Sequence, residues 1–231
     1  MNRFSALIFD VDGTLAETEE VHRRAFNETF AYFGLDWHWS AEVYGELLLV
    51  AGGKERMRHF AALQGKRPPE LSDERLAELH GYKTARYAEL IAAGACQLRP
   101  GVIEFINTAL ARGQRLAIAT TTSRDNVDAL LRATLGARGV GLFDPIVAGD
   151  EVADKKPAPD VYLKALDLLG LPGHRCLAIE DSRNGLMSAS RAGIPVLITR
   201  SAYFRHESFD EAFAVVDSLN RLGERNLPVC A

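Results

Sequence analysis

Sulfur is scarce in this chain, with three cysteines and three methionines among 231 residues. Cys96, Cys176 and Cys230 are scattered and odd in number, which excludes a disulfide scaffold, and their spacing matches no metal-ligand pattern. Cys176 opens an apolar strand pattern, so the thiols are expected to be buried and reduced, in a cytoplasmic setting. Long hydrophobic runs are missing as well. None approaches the roughly 20 residues that span a bilayer, and Met1-Asn2-Arg3 leads toward a strand without the pattern of a signal peptide. Nor is there an excess of positive charge. A net charge of −4 and a pI near 5.9 exclude a general nucleic-acid or membrane-surface binder. Internal repeats and low-complexity tracts are absent. What remains is 231 residues at 47% hydrophobic, enough for one sizeable core and a small additional domain.

The stretch that organises the chain runs from Phe4 to Thr18. Phe4-Ser5-Ala6-Leu7-Ile8-Phe9 is a short apolar run, the pattern of a strand buried on both faces. Asp10-Val11-Asp12-Gly13-Thr14 follows at its C-terminal end. Side chains two apart on an extended segment point the same way, so Asp10 and Asp12 can converge. Two close carboxylates repel unless a cation holds them, and a hard oxygen-liganded ion such as Mg²⁺ suits the pair. Gly13 lets the backbone turn sharply, and the Thr14 hydroxyl with nearby N–H groups can hold an anion. A strand ending in an ordinary Asp-rich turn reads equally well from these residues alone.

From Thr18 to Gly94 the helical period dominates. Thr18 is expected to N-cap a helix carrying Phe26, Phe30 and Phe33 and ended by Gly34. Ser40 caps a second helix through Leu49. Gly52-Gly53 precede a third from Lys54 to about Leu63, closed by Gly65 and Pro68-Pro69, and Ser72 begins a longer fourth. After Pro100-Gly101, helices and strands alternate, the signature of a parallel α/β sheet. The expected strands hold Leu116–Ala119, Ile146–Ala148, Leu177–Ile179 and Val196–Ile198, with Ala214–Val216 at the edge. Helices are expected at Val102–Arg112, at Arg124–Leu135, from Pro157 toward Leu169, and from Arg183 to Ala192. Every polar cluster falls just past a strand's C-terminal end, where open α/β sheets bind ligands. Thr120 opens such a cluster before a helix N-terminus, which suits phosphate oxygens and equally a helix cap. Lys155-Lys156 before Pro157 also reads as solvated surface, and Glu180-Asp181 as dipole-favoured acids before a helix.

Taken together, Asp10-Val11-Asp12-Gly13-Thr14, Thr120, Lys156-Pro157 and Glu180-Asp181 resemble the four motifs of the haloacid dehalogenase superfamily, in family order across nearly the whole chain. The resemblance implies a Rossmann-like parallel sheet core, residues 1–16 and 95–231, with an inserted four-helix cap domain, residues 17–94, as in the phosphoglucomutase-like group. It implies Asp10 as the nucleophile that becomes an aspartyl phosphate and Asp12 as the general acid/base. It implies Thr120 on the phosphoryl oxygens, and Lys156, the lysine adjoining the proline, as the bridge between nucleophile and phosphoryl group. Mg²⁺ would be held by the Asp10 carboxylate, the Asp12 carbonyl and Asp181, with Glu180 bound directly or through water. Thr14 and Thr121, Thr122, Ser123 and Arg124 fall among the implied substrate contacts.

On the cap, His22, Gly53 with Lys54, and Lys83 match positions where related sugar-phosphate mutases contact substrate, and Glu17 at the hinge can accept a sugar hydroxyl. A surface histidine and a charged helix N-terminus are the plainer readings of His22 and Glu17. Arg56, Arg58, Arg75 and Arg86 read mostly as solvated helix faces. Within the group the chain is most similar to phosphatases that convert xylulose-1,5-bisphosphate to xylulose-5-phosphate. That implies a Mg²⁺-dependent enzyme, monomeric and cytoplasmic, whose partner is a small sugar (bis)phosphate. Three alternatives are weighed against it. One is a β-phosphoglucomutase-type isomerase, and another a carbon–halogen hydrolase, disfavoured by Asp12, Glu180 and Asp181. The third is a silent binding module, disfavoured by the paired nucleophile and general acid.

Overall fold

The structure, a computed structural model, describes residues 3–65 and 71–222. Met1, Asn2, Pro68, Pro69 and Cys230 lie outside them. The sheet has six parallel strands: β1 (Ala6–Phe9), β2 (Arg115–Ala119), β3 (Ile146–Val147), β4 (Cys176–Glu180), β5 (Val196–Thr199) and β6 (Ala214–Val216). They are ordered β3-β2-β1-β4-β5-β6, which puts β1 at the centre between two strands distant in sequence. Strand alternation separates two cores. Leu7, Phe9, Leu116, Ile118, Leu177, Ile179 and Leu197 face one cluster. Ala6, Ile8, Ala117, Ala119, Cys176 and Ala178 face the other. The second face is built mostly from small side chains, so α7 (Asp160–Leu169) and α8 (Arg183–Arg191) bring Val161, Tyr162, Ala165, Leu186 and Ala189 directly onto the strands.

Between β1 and α5 (Val102–Ala111) lie α1 (Glu19–Tyr32), α2 (Ala41–Leu47), α3 (Gly53–Leu63) and α4 (Asp73–Ala92). They enclose an aromatic cluster of their own, with Trp39 at its centre among Phe26, Phe30, Tyr44 and Phe60. Val21 and Ala25 of α1 and Tyr87, Leu90 and Ile91 of α4 belong instead to the sheet-side cluster. The two long helices therefore root the insertion in the core, while α2 and α3 stand out from it. α4 also packs on α6 (Arg124–Leu135). Ser40 and Ser72 cap α2 and α4, each side chain accepting from a backbone N–H at 3.2 Å.

Two expected helix starts differ. α7 begins at Asp160 and not at Pro157, because Pro159 disfavours helical geometry at Ala158. Thr18 precedes α1 without capping it; its hydroxyl is spent elsewhere. Cys176 is buried, whereas Cys96 is only partly so, and both are free thiols. Among the described residues, no helix is long and apolar enough to cross a membrane.

Candidate active site

In the sheet, Phe9 lies opposite Ile118 and Ile179, so one step further out Asp10 stands beside Glu180 and the end of β2. Gly13, at φ 77°, turns the chain there. A Cβ at this position would lie 1.9 Å from Asp181 Oδ2, so glycine is what admits the Asp181 carboxylate against the loop. Arg99 fastens the same loop through its guanidinium, which donates to the carbonyls of Gly13, Thr199 and Arg200.

Lys156 joins the strands' ends. Its Nζ lies 2.6 Å from Asp10 Oδ1, 2.5 Å from Glu180 Oε1 and 2.9 Å from the Ala119 carbonyl. Tyr162 donates its hydroxyl to the same Glu180 oxygen at 2.7 Å. All four residues are buried. Burial opposes the Lys156 ammonium, but Asp10 and Glu180 outweigh it and hold its pKa above the lysine value. Burial pushes Asp10 well above the usual carboxylate range, Glu180 and Asp12 adding to the rise against Lys156. Asp181 is raised well above it too, by burial and by the Asp10 and Glu180 charges. Asp10, Glu180 and Asp181 can each place one oxygen within 4.8 Å of the others, and Asp181 Oδ2 is buried with no hydrogen-bond partner among the described residues. One lysine does not compensate three buried carboxylates, and an orphaned carboxylate oxygen is costly. A hard divalent cation with oxygen ligands fits this set.

Asp12 belongs to a different network. Its Oδ1 accepts from the Thr18 hydroxyl at 2.5 Å and lies 3.0 Å from His22 Nε2. His22 Nδ1 in turn lies 2.7 Å from Lys83 Nζ, and its ring stacks on Tyr87 at 4.1 Å. Burial and Lys83 keep His22 below its ordinary pKa. The neutral ring then donates from Nε2 to Asp12 and accepts at Nδ1 from Lys83, a tautomer assigned from this network. Burial pushes Asp12 up, but His22 and the bonds from His22 and Thr18 outweigh it and bring its pKa to about 2. Burial lowers Lys83 to about 7, against the attraction of Asp12. The ammonium sits over the rings of Phe26 and Tyr87.

These groups open on one cavity of about 920 Å³ between the sheet's carboxyl edge and the inserted helices. Asp10, Asp12, Lys156 and Asp181 line it from the core, with Thr121, Thr122 and Ser123 beside them. His22, Gly53, Lys54 and Lys83 line it from the insertion. Thr120 is buried behind this wall, its hydroxyl accepting from the Thr122 N–H at 3.3 Å, and Glu180 is likewise behind it. Thr14 is buried with its hydroxyl unpartnered, away from the lining. Besides Thr14, two expected substrate contacts are not brought to the wall. Glu17 pairs with Arg99 at 3.2 Å and accepts from the Ala202 N–H, and Arg124 pairs with Asp128 at 3.0 Å. Each side chain is held by an ion-pair partner outside the cavity wall, Glu17 by the largely buried Arg99 and Arg124 by Asp128 along its own helix.

Several site residues were not singled out in the sequence. Tyr162 lies in the first turn of α7, five residues past Pro157, a spacing that gives no chemical signal by itself. Arg56 corrects the solvated reading. It is buried, donates to the Leu47 carbonyl at 3.1 Å and to the Tyr44 hydroxyl at 3.0 Å, and stacks over the Tyr44 ring. His80, which the sequence did not mark, packs against Gly53 and lines the cavity.

A buried Asp10–Lys156–Glu180 cluster at the central strand of a parallel sheet, under a helical insertion, defines a class. The haloacid dehalogenase-like hydrolase family matches residues 4–193, and the chain belongs to it. Among curated relatives, Protein CbbY of Rhodobacter capsulatus is 56% identical over 223 residues, covering 96% of this chain and 97% of its own. The crystal structure of CbbY from Rhodobacter sphaeroides in complex with phosphate superposes with a TM-score of 0.90 at 50% identity, covering 95% of this chain and 96% of that one. A mutant of the same protein in complex with xylulose-1,5-bisphosphate matches equally, with a TM-score of 0.90, 50% identity and the same coverage of both chains.

Proposed function

We propose that this hydrolase is a sugar-phosphate phosphatase that removes one phosphate from xylulose-1,5-bisphosphate, leaving xylulose-5-phosphate. The observation that carries the reading is the convergence of Asp10, Lys156 and Asp181 on a cavity whose opposite wall holds Lys54 and Lys83. A substrate with two separated anionic ends matches this pair of walls, one phosphate meeting Lys156 and the cation that the carboxylates would hold, the other meeting the lysines of the insertion. The bisphosphate bound by the 50%-identical CbbY mutant supports the choice of sugar.

In this reading Asp10 attacks phosphorus and forms an aspartyl phosphate, while the sugar oxygen leaves with a proton from Asp12. Asp12 then takes a proton from water, whose oxygen attacks phosphorus and returns Asp10 free with inorganic phosphate. Asp10, Asp181 and the Asp12 carbonyl would hold Mg²⁺, with Glu180 beside them; the ion supplies positive charge against the phosphoryl oxygens. Lys156 orients Asp10 and favours its ionised form, opposing part of the rise that burial causes. Thr121, Thr122 and Ser123 would meet the transferring phosphate, with Thr120 behind them fixing the Thr122 N–H. An Asp12 near pKa 2 is ionised, so donating a proton requires it to exchange its Thr18 and His22 bonds. Both partners sit on the insertion side, so we take residues 17–94 to move as a cap that sets the state of Asp12. The site is complete within one chain, which supports a monomer, and two free thiols support a cytoplasmic setting.

The test is release of inorganic phosphate from xylulose-1,5-bisphosphate with Mg²⁺ present. Efficient release is expected, with no isomerisation of β-glucose-1-phosphate in the presence of catalytic 1,6-bisphosphate. Fast formation of glucose-6-phosphate with little free phosphate would favour a mutase instead.

A further inference from the structure

Lys155 adjoins the lysine that holds Asp10, yet it takes no part in that cluster. Lys156 is turned inward and buried, while Lys155 reaches across the cavity mouth to the insertion. Its Nζ lies 3.4 Å from Glu55 Oε1 on α3 and 3.4 Å from the Gly149 carbonyl. Its stem lies over Gly52, where a Cβ would come within 2.7 Å of Lys155 Cδ and Cε. Gly52 has φ 95°, a conformation natural to glycine, so the residue both opens α3 and makes room for a core side chain. The next two residues, Gly53 and Lys54, line the cavity, as do Glu55 and Lys155.

The contacts Lys155 makes here are weak. A charge-assisted N–H···O bond is about 2.7–2.9 Å long, and both of its partners are further away. The Lys155 and Glu55 side chains are 25% and 41% exposed, and exposed pairs contribute about 1 kcal/mol or less. Among the described residues, an ammonium with three donors thus has no acceptor closer than 3.4 Å, beside a wall already carrying Lys54 and Lys83. His80, packed against Gly53, is brought to about 3 by burial first and then by Lys83 and Lys54, with a smaller part from Lys155. The region is therefore rich in positive charge, with Glu55 as the acid placed to be displaced.

We infer that Lys155 is a specificity-determining residue that exchanges Glu55 for the substrate's second phosphate, so that this phosphate is held by Lys54 from the insertion and Lys155 from the core. The inference rests on the bisphosphate reading. It gives the remote phosphate a mechanical role, since an anion bound by both walls ties them together over the reacting group.

Binding is measured by calorimetry in an inactive Asp10→Asn background with Mg²⁺, for xylulose-1,5-bisphosphate and for inorganic phosphate. Lys155→Met is expected to lower the preference for bisphosphate over inorganic phosphate at least tenfold, and Lys155→Arg to retain most of it. Glu55→Gln is expected to raise that preference, because the competing carboxylate is gone. An unchanged preference in Lys155→Met overturns the inference; if that variant does not fold, an unchanged or lowered preference in Glu55→Gln does so. A background protein that does not prefer the bisphosphate at all sinks the substrate reading itself, and the role of Lys155 with it.

Discussion

Asp10 carries opposed demands at the scale of a single residue: in the proposed reaction it must be ionised to attack, yet it is buried beside two further carboxylates. Lys156 resolves only part of this conflict, since Asp10 remains shifted upward. Asp10→Asn keeps the shape and hydrogen-bonding capacity of the side chain while removing both the nucleophile and one buried charge. It is expected to lower phosphate release more than about a hundredfold, beyond the lower range for losing a proton-transfer group. Its melting temperature without added metal is expected to be unchanged or higher than that of the native chain. A variant that melts normally and retains more than a hundredth of the activity would show that another group attacks. Tyr162 illustrates the complementary case, a residue with no acid–base role that fixes a Glu180 oxygen already shared with Lys156.

Among the elements, the inserted helices divide between those rooted in the core and those presented to the cavity. Ser72 caps α4, a 20-residue helix that carries Lys83 at one stage and packs on the core at another. Ser72→Ala is expected to cost about 1 kcal/mol of stability, as for other caps, with denaturant midpoints as the readout and little effect on turnover. Lys54, on the first turn of α3, is exposed and lines the cavity. Lys54→Ala is expected to lower kcat/KM for the bisphosphate by about 1.5–3 kcal/mol, the range of a hydrogen bond to a charged group. It should affect p-nitrophenyl phosphate far less. Equal losses on both substrates would assign Lys54 to the reacting centre or to folding of the insertion. The sheet and these helices were legible because burial leaves periodic marks: the apolar strands on either side of Asp10, the Phe26-Phe30-Phe33 spacing, and Ser40 and Ser72 before their helices. Thr18 was misread because N-cap and carboxylate partner demand the same hydroxyl, and only the fold shows that Asp12 takes it. Arg56 and Tyr162 were illegible because their partners, Tyr44 and Glu180, are brought to them by packing and not by spacing.

For the whole molecule, the sheet concentrates negative charge at one edge and the insertion brings positive charge over it, so the site is strained electrostatically when no ligand is bound. Asp10 and Asp181 are both raised well above the carboxylate range, burial being the largest cause. In such a case the folded state binds more protons than the unfolded chain. Stability contributed this way is full below the unfolded carboxylate pKa, near 4, and is lost as pH rises through the raised folded values. A divalent cation reverses the balance, because it binds the deprotonated carboxylates and is favoured by the same charge that burial penalises. Mg²⁺ should therefore stabilise the fold little at pH 5 and progressively more toward pH 7.5. Melting curves across that range, with Mg²⁺ and with a chelator, measure the difference directly. In Asp181→Asn the increase with pH is expected to shrink, since one of the two raised carboxylates is gone. A Mg²⁺ shift that is constant with pH, or equally large in that variant, would mean that the ion does not bind at Asp10 and Asp181.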